Sequence, residues 1–150
     1  MQKWPSPERP TVSLELFCRV ATRERVISIF VNGIVVIVAY RPKPGRESEL
    51  LEIVRDRVPV LRKEDLVTDR VPVVMRAKDG TIIEVSEWKS QQAIEEAHKN
   101  PRVLAMWDKF FAVCDCVPLK TVPETETMFA GFEPIPTPPA EGMPTTEPLR

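Results

Sequence analysis

The one histidine of the chain, His98, lies in the stretch SEWKSQQAIEEAHKNPRVLAMWDKF, residues 86–110. Histidine takes and returns a proton near neutral pH, so a lone one raises the question of general-base chemistry. Its position supports two readings. It follows Ile94 by four residues and Ala97 by one, so it borders the apolar side of a helix and can point into a pocket. It also stands at that helix's C-terminal end, where an imidazole can bond the last carbonyls and interact with the helix dipole. Upstream, Glu84 and Glu87 fall on opposite sides of a strand. One of them can face a pocket as an alternative base; a solvated or ion-paired carboxylate is the other reading. Cys114 and Cys116, two apart in a strand, point the same way. Two thiols and one distant histidine do not complete a zinc set, so packed small side chains or a redox-reactive pair are expected there, and no metal.

The bulk composition narrows the classes. A chain of 150 residues fits one domain that buries about two-thirds of its unfolded surface. With 29% charged residues and a net charge of -1, no global field draws it to nucleic acid or anionic lipid. Three cysteines, Cys18, Cys114 and Cys116, suit a reducing cytosol better than a disulfide framework. The longest apolar run, VISIFVNGIVVIVAY at residues 26–40, is interrupted by Asn32-Gly33 and falls short of the roughly 20 residues of a spanning helix. Residues 1–25 lack the order of a signal peptide. A cytoplasmic protein without a membrane partner is expected. No Gly-rich phosphate loop, basic-aromatic array or nucleophile elbow occurs.

Several elements must position the candidate residues. TVSLELF permits a short early strand, and Asn32-Gly33 permits either a hairpin or a loop leading into one strand. IVVIVAY, Ile34–Tyr40, is nearly all β-formers and predicts a strand buried on both faces. RPKPG then opens a helix in which Leu50, Leu51, Val54, Val58 and Leu61 recur at helical spacing, with Glu47, Glu49, Glu52, Arg55 and Arg57 outside. Pro59 predicts a kink or an end near Arg57. RVPVVMRA-KDG-TIIEVSEW reads as a hairpin turning at Asp79-Gly80. The pentapeptide DRVPV occurs at 56–60 and 69–73, but its flanks differ in period and no repeat follows.

Ser90 caps a helix with Ala93, Ile94 and Ala97 inward, and Asn100-Pro101 restarts it as N-cap and first turn. Val103, Leu104, Trp107, Phe110, Phe111 and Cys114 form a stripe of core spacing. VCDCVPLKTV returns to strand character, PETETMF makes a helical turn, and AGFEPI a last short strand. Six of the sixteen prolines fall in the last seventeen residues. The domain therefore spans residues 33–135, between an N-terminal extension at 1–32 and a Pro-rich, extended tail at 136–150. Strand, helix, strand, strand, helix, strand is a βαββαβ order. It predicts an α+β, ferredoxin-like antiparallel four-stranded sheet with two helices on one face. The sparsely charged opposite face implies cover by a second copy in a twofold dimer.

VVIVAYRPKPGRESELLEIV followed by IEVSEWKSQQAIEEAHKNPRVLAMW resembles the antibiotic biosynthesis monooxygenase (ABM) family of dimeric α+β barrels. The resemblance lies in a first strand ending in an aromatic, a Pro-Gly entry into the first helix, Glu87-Trp88 closing the third strand, and Ala97-His98 before Asn100-Pro101. It covers roughly residues 33–133. It implies a homodimer, a pocket between sheet and helices, and, in catalytic members, oxidation of electron-rich quinols or anthrols by molecular oxygen without flavin or metal. In such members an asparagine, a tryptophan and a histidine line the pocket. Trp88 and His98 match the last two. The asparagine position, near the end of the first strand, reads Val38-Ala39-Tyr40, where Tyr40 offers a phenol and no amide.

Cofactor-free oxygenation requires that the protein take a proton from the substrate and keep water out. The resemblance makes His98, Trp88 and Tyr40 the expected catalytic set, with Trp107, Glu84 and Phe111 lining a site for a small aromatic molecule. Haem-degrading members place their ligand histidine where this chain has Asp108, so no haem or other cofactor is expected. The second reading is a non-enzymatic dimeric ligand-binding or interaction module that keeps the barrel without the polar trio.

Overall fold

The computed structural model describes residues 33–137. The N-terminal extension, with the strand expected in TVSLELF and the first arm of the Asn32-Gly33 hairpin, lies outside the described residues, as does the tail beyond Thr137. The elements run β1 (Ile34–Pro42), α1 (Glu47–Lys63), β2 (Val73–Arg76), β3 (Ile82–Trp88), α2 (Gln91–Ala97), α3 (Pro101–Val113), β4 (Cys114–Val117) and β5 (Glu133–Ile135). All strand pairs are antiparallel, in the order β4-β1-β3-β2-β5. This is the α+β ferredoxin-like fold, with the expected short strand at Glu133–Ile135 joining as a fifth strand on the β2 edge.

Local signals account for most element ends. Gly80 takes a positive φ of 88°, and its N–H bonds the Ala77 carbonyl at 3.0 Å, closing the β2–β3 turn. Ser90 Oγ accepts the Ala93 N–H at 3.1 Å, starting α2. Asn100 Oδ1 accepts from the N–H groups of Arg102 and Val103, while its Nδ2 donates to Glu64 Oε2 at 2.8 Å. One side chain thus caps α3 and ties it to the residue that ends α1. Those bonds from Asn100 and Arg102 hold the Glu64 carboxyl below its ordinary pKa.

Pro59 does not end α1, which continues to Lys63. The carbonyl left without a partner is that of Arg55, an exposed residue on the outer side, where water can serve it. Val58 and Leu61, both buried, hold the last turns against the sheet.

Strand register divides the side chains between two faces. Val36, Val38 and Tyr40 of β1 share the helix-covered face with their partners Ser86, Glu84 and Ile82. Val35, Ile37 and Ala39 share the opposite face with Glu87, Val85 and Ile83. Among the described residues, that second face is covered only in part. The segment after β4, with 3-10 turns at Leu119–Thr121 and Pro123–Glu126, packs Val122 and Phe132 onto Ala39, Ala77, Ile83, Met75 and Val117. Toward the other end of the strands Val35, Ile37 and Val73 remain exposed. The expectation that Ile34–Tyr40 is buried on both faces is thus corrected for Val35 and Ile37, because the covering segment reaches only the Ala39 end.

Candidate functional site

Under α1 the interior is polar. Tyr40, Glu84, Ser86 and Trp88 point toward the helices from β1 and β3, and Arg57 descends onto them from α1. Tyr40 Oη donates to Glu84 Oε2 at 3.1 Å. Arg57 Nη1 lies 3.1 Å from Glu84 Oε1 but donates its hydrogen bond to Ser86 Oγ at 3.2 Å. Glu84 Oε1 therefore meets the guanidinium charge without accepting a hydrogen bond among the described residues. Arg57 also sits over the Trp88 indole, 5.8 Å from the ring centre. Phe110 of α3 stacks on Tyr40 at 4.8 Å, closing the phenol from above. Arg57, Tyr40, Glu84, Ser86 and Trp88 are all buried, and Glu84 is fully so.

Burial is what makes the electrostatics here consequential. It pushes the Tyr40 phenol well above its ordinary pKa; the Arg57 charge opposes this and the Glu84 charge adds to it. Tyr40 is thus a hydrogen-bond donor at any physiological pH. Burial works against the Arg57 charge, but Glu84 and Tyr40 outweigh it, so the guanidinium is held more firmly protonated than in water. The cluster is a cation, a carboxylate and a neutral donor enclosed by aromatic rings. Chemically it can accept a proton at Glu84 Oε1 and stabilise an anion formed beside Arg57.

His98 and Trp107 form a second set. A carbonyl can only accept, so the 2.7 Å contact between His98 Nδ1 and the Ile94 carbonyl places the Nδ1 proton on its own helix. The His98 ring stands edge-on to Trp107, centres 5.0 Å apart. The helix-end reading of His98 describes this geometry. Of the expected site residues the fold therefore joins Tyr40, Glu84 and Trp88 around Arg57, and His98 with Trp107 between α2 and α3. Trp107 is buried in the α3 stripe. Phe111 is half-buried and Leu104 exposed, because the stripe centres on Val103, Met106, Trp107, Phe110 and Val113 and leaves both at its margin.

Arg57, expected on the outward side of α1, is buried on its inward side instead. Its spacing carries the contrary signal, since it lies three residues after Val54 and four before Leu61, both inward. A charge on an apolar face needs a buried counter-charge, and Glu84 supplies it. Glu87, on the opposite face, pairs with Arg70. Cys114 and Cys116 are free thiols, and burial pushes Cys114 up to about 12, so packing describes Cys114 better than thiolate chemistry. Among the described residues no cluster of three or more His, Cys, Asp or Glu side chains could hold a metal ion. No described helix is long and apolar enough to cross a membrane.

Comparison with known proteins sets this geometry in context. The family model described as antibiotic biosynthesis monooxygenase matches residues 33–109, which include Tyr40, Arg57, Glu84, Ser86 and Trp88 and stop one residue short of Phe110. No curated protein matches the chain. Two crystal structures of SnoaB, a cofactor-independent oxygenase from Streptomyces nogalater, are similar at 14% identity. One covers 57% of this chain and 87% of its own with a TM-score of 0.48. The other, an asparagine-to-alanine mutant, covers 62% and 99% with a TM-score of 0.49.

Proposed function

The chain belongs to the antibiotic biosynthesis monooxygenase family, and we propose that it oxidises a small phenolic or quinol-type aromatic molecule with molecular oxygen, using no cofactor, as a homodimer. Glu84 is the base in this reading, Arg57 holds the developing oxyanion, and Tyr40 keeps Glu84 oriented. Trp88 and Phe110 flank the aromatic ring of the substrate. The observation that carries the reading is Glu84 Oε1, fully buried, 3.1 Å from the Arg57 guanidinium and, among the described residues, not the acceptor of that group's hydrogen bond, which goes to Ser86 Oγ. A substrate hydroxyl is a donor that fits it.

The chemistry balances without a redox group on the protein. Glu84 removes the hydroxyl proton, and the electron-rich anion gives one electron to oxygen. The substrate radical and superoxide combine at a ring carbon into a hydroperoxide once a proton returns from Glu84. Loss of water, taking that carbon's hydrogen and the distal oxygen, leaves a carbonyl. Four electrons leave the substrate and reduce oxygen to one oxygen in the product and one in water. General-base assistance of this kind contributes about 10²–10⁴ in rate.

One further observation favours the second reading, a ligand-binding module without turnover. The charges of Arg57 and Glu84 already neutralise one another in a closed interior. Oxygen uptake by the purified protein with a panel of quinols and anthrols, in the presence of chelator and without added flavin, decides between them. Uptake with a carbonyl product is the expected result. Tight binding of the same compounds without uptake would establish the module instead.

A further inference from the structure

Glu84, Ser86 and Trp88 stand in one row on β3, on the face covered by the helices. Ser86 is the smallest of the three and, at 4% exposure, as enclosed as its neighbours. It takes no part in the proton transfer from a substrate to Glu84. Its hydroxyl oxygen nonetheless meets the nitrogen on which that transfer depends. Arg57 Nη1 lies 3.2 Å from Ser86 Oγ and 3.1 Å from Glu84 Oε1. The two distances are nearly equal, yet among the described residues only the Ser86 contact has the alignment of a hydrogen bond. A buried guanidinium gains most by aiming an N–H at a carboxylate, because a charge-assisted bond is about twice as strong as one to a neutral hydroxyl. Other contacts hold the pair off that arrangement. Tyr40 binds the carboxylate by its other oxygen, and the Trp88 ring lies 5.8 Å from the guanidinium carbon. Ser86 supplies the acceptor that the turned N–H requires.

We propose that Ser86 is a positioning residue: by accepting the Arg57 N–H it turns the guanidinium aside and leaves Glu84 Oε1 open to the hydroxyl of an incoming phenol. Arg57 then lends its charge to the site without occupying the base. The same nitrogen stands ready to close the ion pair, since it is already at bonding distance from Oε1 and only the direction of its N–H has to change. Ser86 is thus the difference between an ion pair that is closed and one that can receive a ligand. This rests on the reading of Glu84 as the base and deepens it by naming what keeps that base unoccupied.

Ser86→Ala in the full chain tests this, because stability and ligand response then move in different directions. With the hydroxyl gone, the Arg57 N–H turns to Glu84 Oε1 and the ion pair closes. The midpoint of denaturant unfolding should hold or rise. Affinity for phenols by titration calorimetry should fall about 10-fold or more, and so should oxygen uptake with a quinol that the unaltered protein oxidises. A crystal structure of the variant should show Arg57 Nη1 bonded to Glu84 Oε1. A serine that merely satisfies a buried donor gives another pattern: its loss leaves that N–H unpaired, and stability and affinity fall together. That pattern overturns the proposal, as does Ser86→Ala with affinity and uptake intact. If the unaltered protein takes up no oxygen with any compound, the oxygenase reading falls by itself. The crystal structure then decides the role of Ser86: Nη1 bonded to Glu84 Oε1 upholds it, and an unmoved guanidinium overturns it.

Discussion

The two sets of candidate residues sit in one fold and are held in different ways. The Glu84 set is drawn from β1, β3, α1 and α3, and its members are oriented by one another: Tyr40 and Arg57 by Glu84, Phe110 by Tyr40. The His98 set comes from two consecutive helices, and its histidine is oriented by its own helix through the Ile94 carbonyl. In the first set removal of one charge strands another in a closed interior. In the second, changing the histidine disturbs a helix-end bond and the edge contact with Trp107. Identity alone made His98 the obvious base; surroundings favour Glu84.

Breaking the first set should produce the largest change. Glu84→Ala leaves the Arg57 guanidinium buried without its partner and should lower stability by about 3–5 kcal/mol, read by denaturant unfolding. The paired change Arg57→Met with Glu84→Leu should recover most of that loss, because it removes both charges and keeps the volume. If the pair is no better than the single variant, the cluster is not held together by its charges.

Tyr40→Phe removes the donor to Glu84 Oε2 and should cost about 1–3 kcal/mol. Tyr40 is the only tyrosine, so alkaline absorbance reports it alone. Its folded pKa lies above the ordinary value of 10.0, so the folded state keeps a proton that the unfolded state loses. The associated stability is complete below pH 10 and declines as pH rises toward the folded pKa. Tyrosinate absorbance should therefore appear only as the protein unfolds, and Tyr40→Phe should flatten the alkaline loss. Tyrosinate titrating near pH 10 in the intact protein would contradict this burial.

Smaller effects are expected where contacts are local. His98→Gln should cost about 1–2 kcal/mol, since it disturbs one helix end and the edge contact with Trp107. A loss as large as that of Glu84→Ala would erase the contrast between the two sets. Asn100→Ala removes the cap of α3 and its bond to Glu64, which should cost about 1 kcal/mol, both read by thermal unfolding.

What was legible in the sequence follows the same division. Caps at Ser90 and Asn100, the Gly80 turn and the element order are local signals, and the fold follows from them together with the family resemblance. The Tyr40–Glu84 bond spans 44 positions and exists only through the β1–β3 register, which no periodicity displays. Arg57 was half legible: its spacing is inward, but an inward arginine makes sense only once Glu84 is known to lie beneath it. That the face away from the helices needs cover was readable from its sparse charge, but which part of it the described residues leave open was not, because both faces of β1 are written in valine and isoleucine. That part emerges when the distant segment 118–132 is seen to stop at Ala39. Pro59 misleads because its cost depends on whether the freed carbonyl meets water.

The central claim is that the proton acceptor is Glu84, with His98 outside the reacting centre. Parallel oxygen-uptake rates for Glu84→Gln and His98→Ala, with a quinol the unaltered protein oxidises, test it most directly. The account predicts a loss of about 10²-fold or more for Glu84→Gln and a near-unaltered rate for His98→Ala. Loss in His98→Ala with full activity in Glu84→Gln would contradict it and return the base to the histidine.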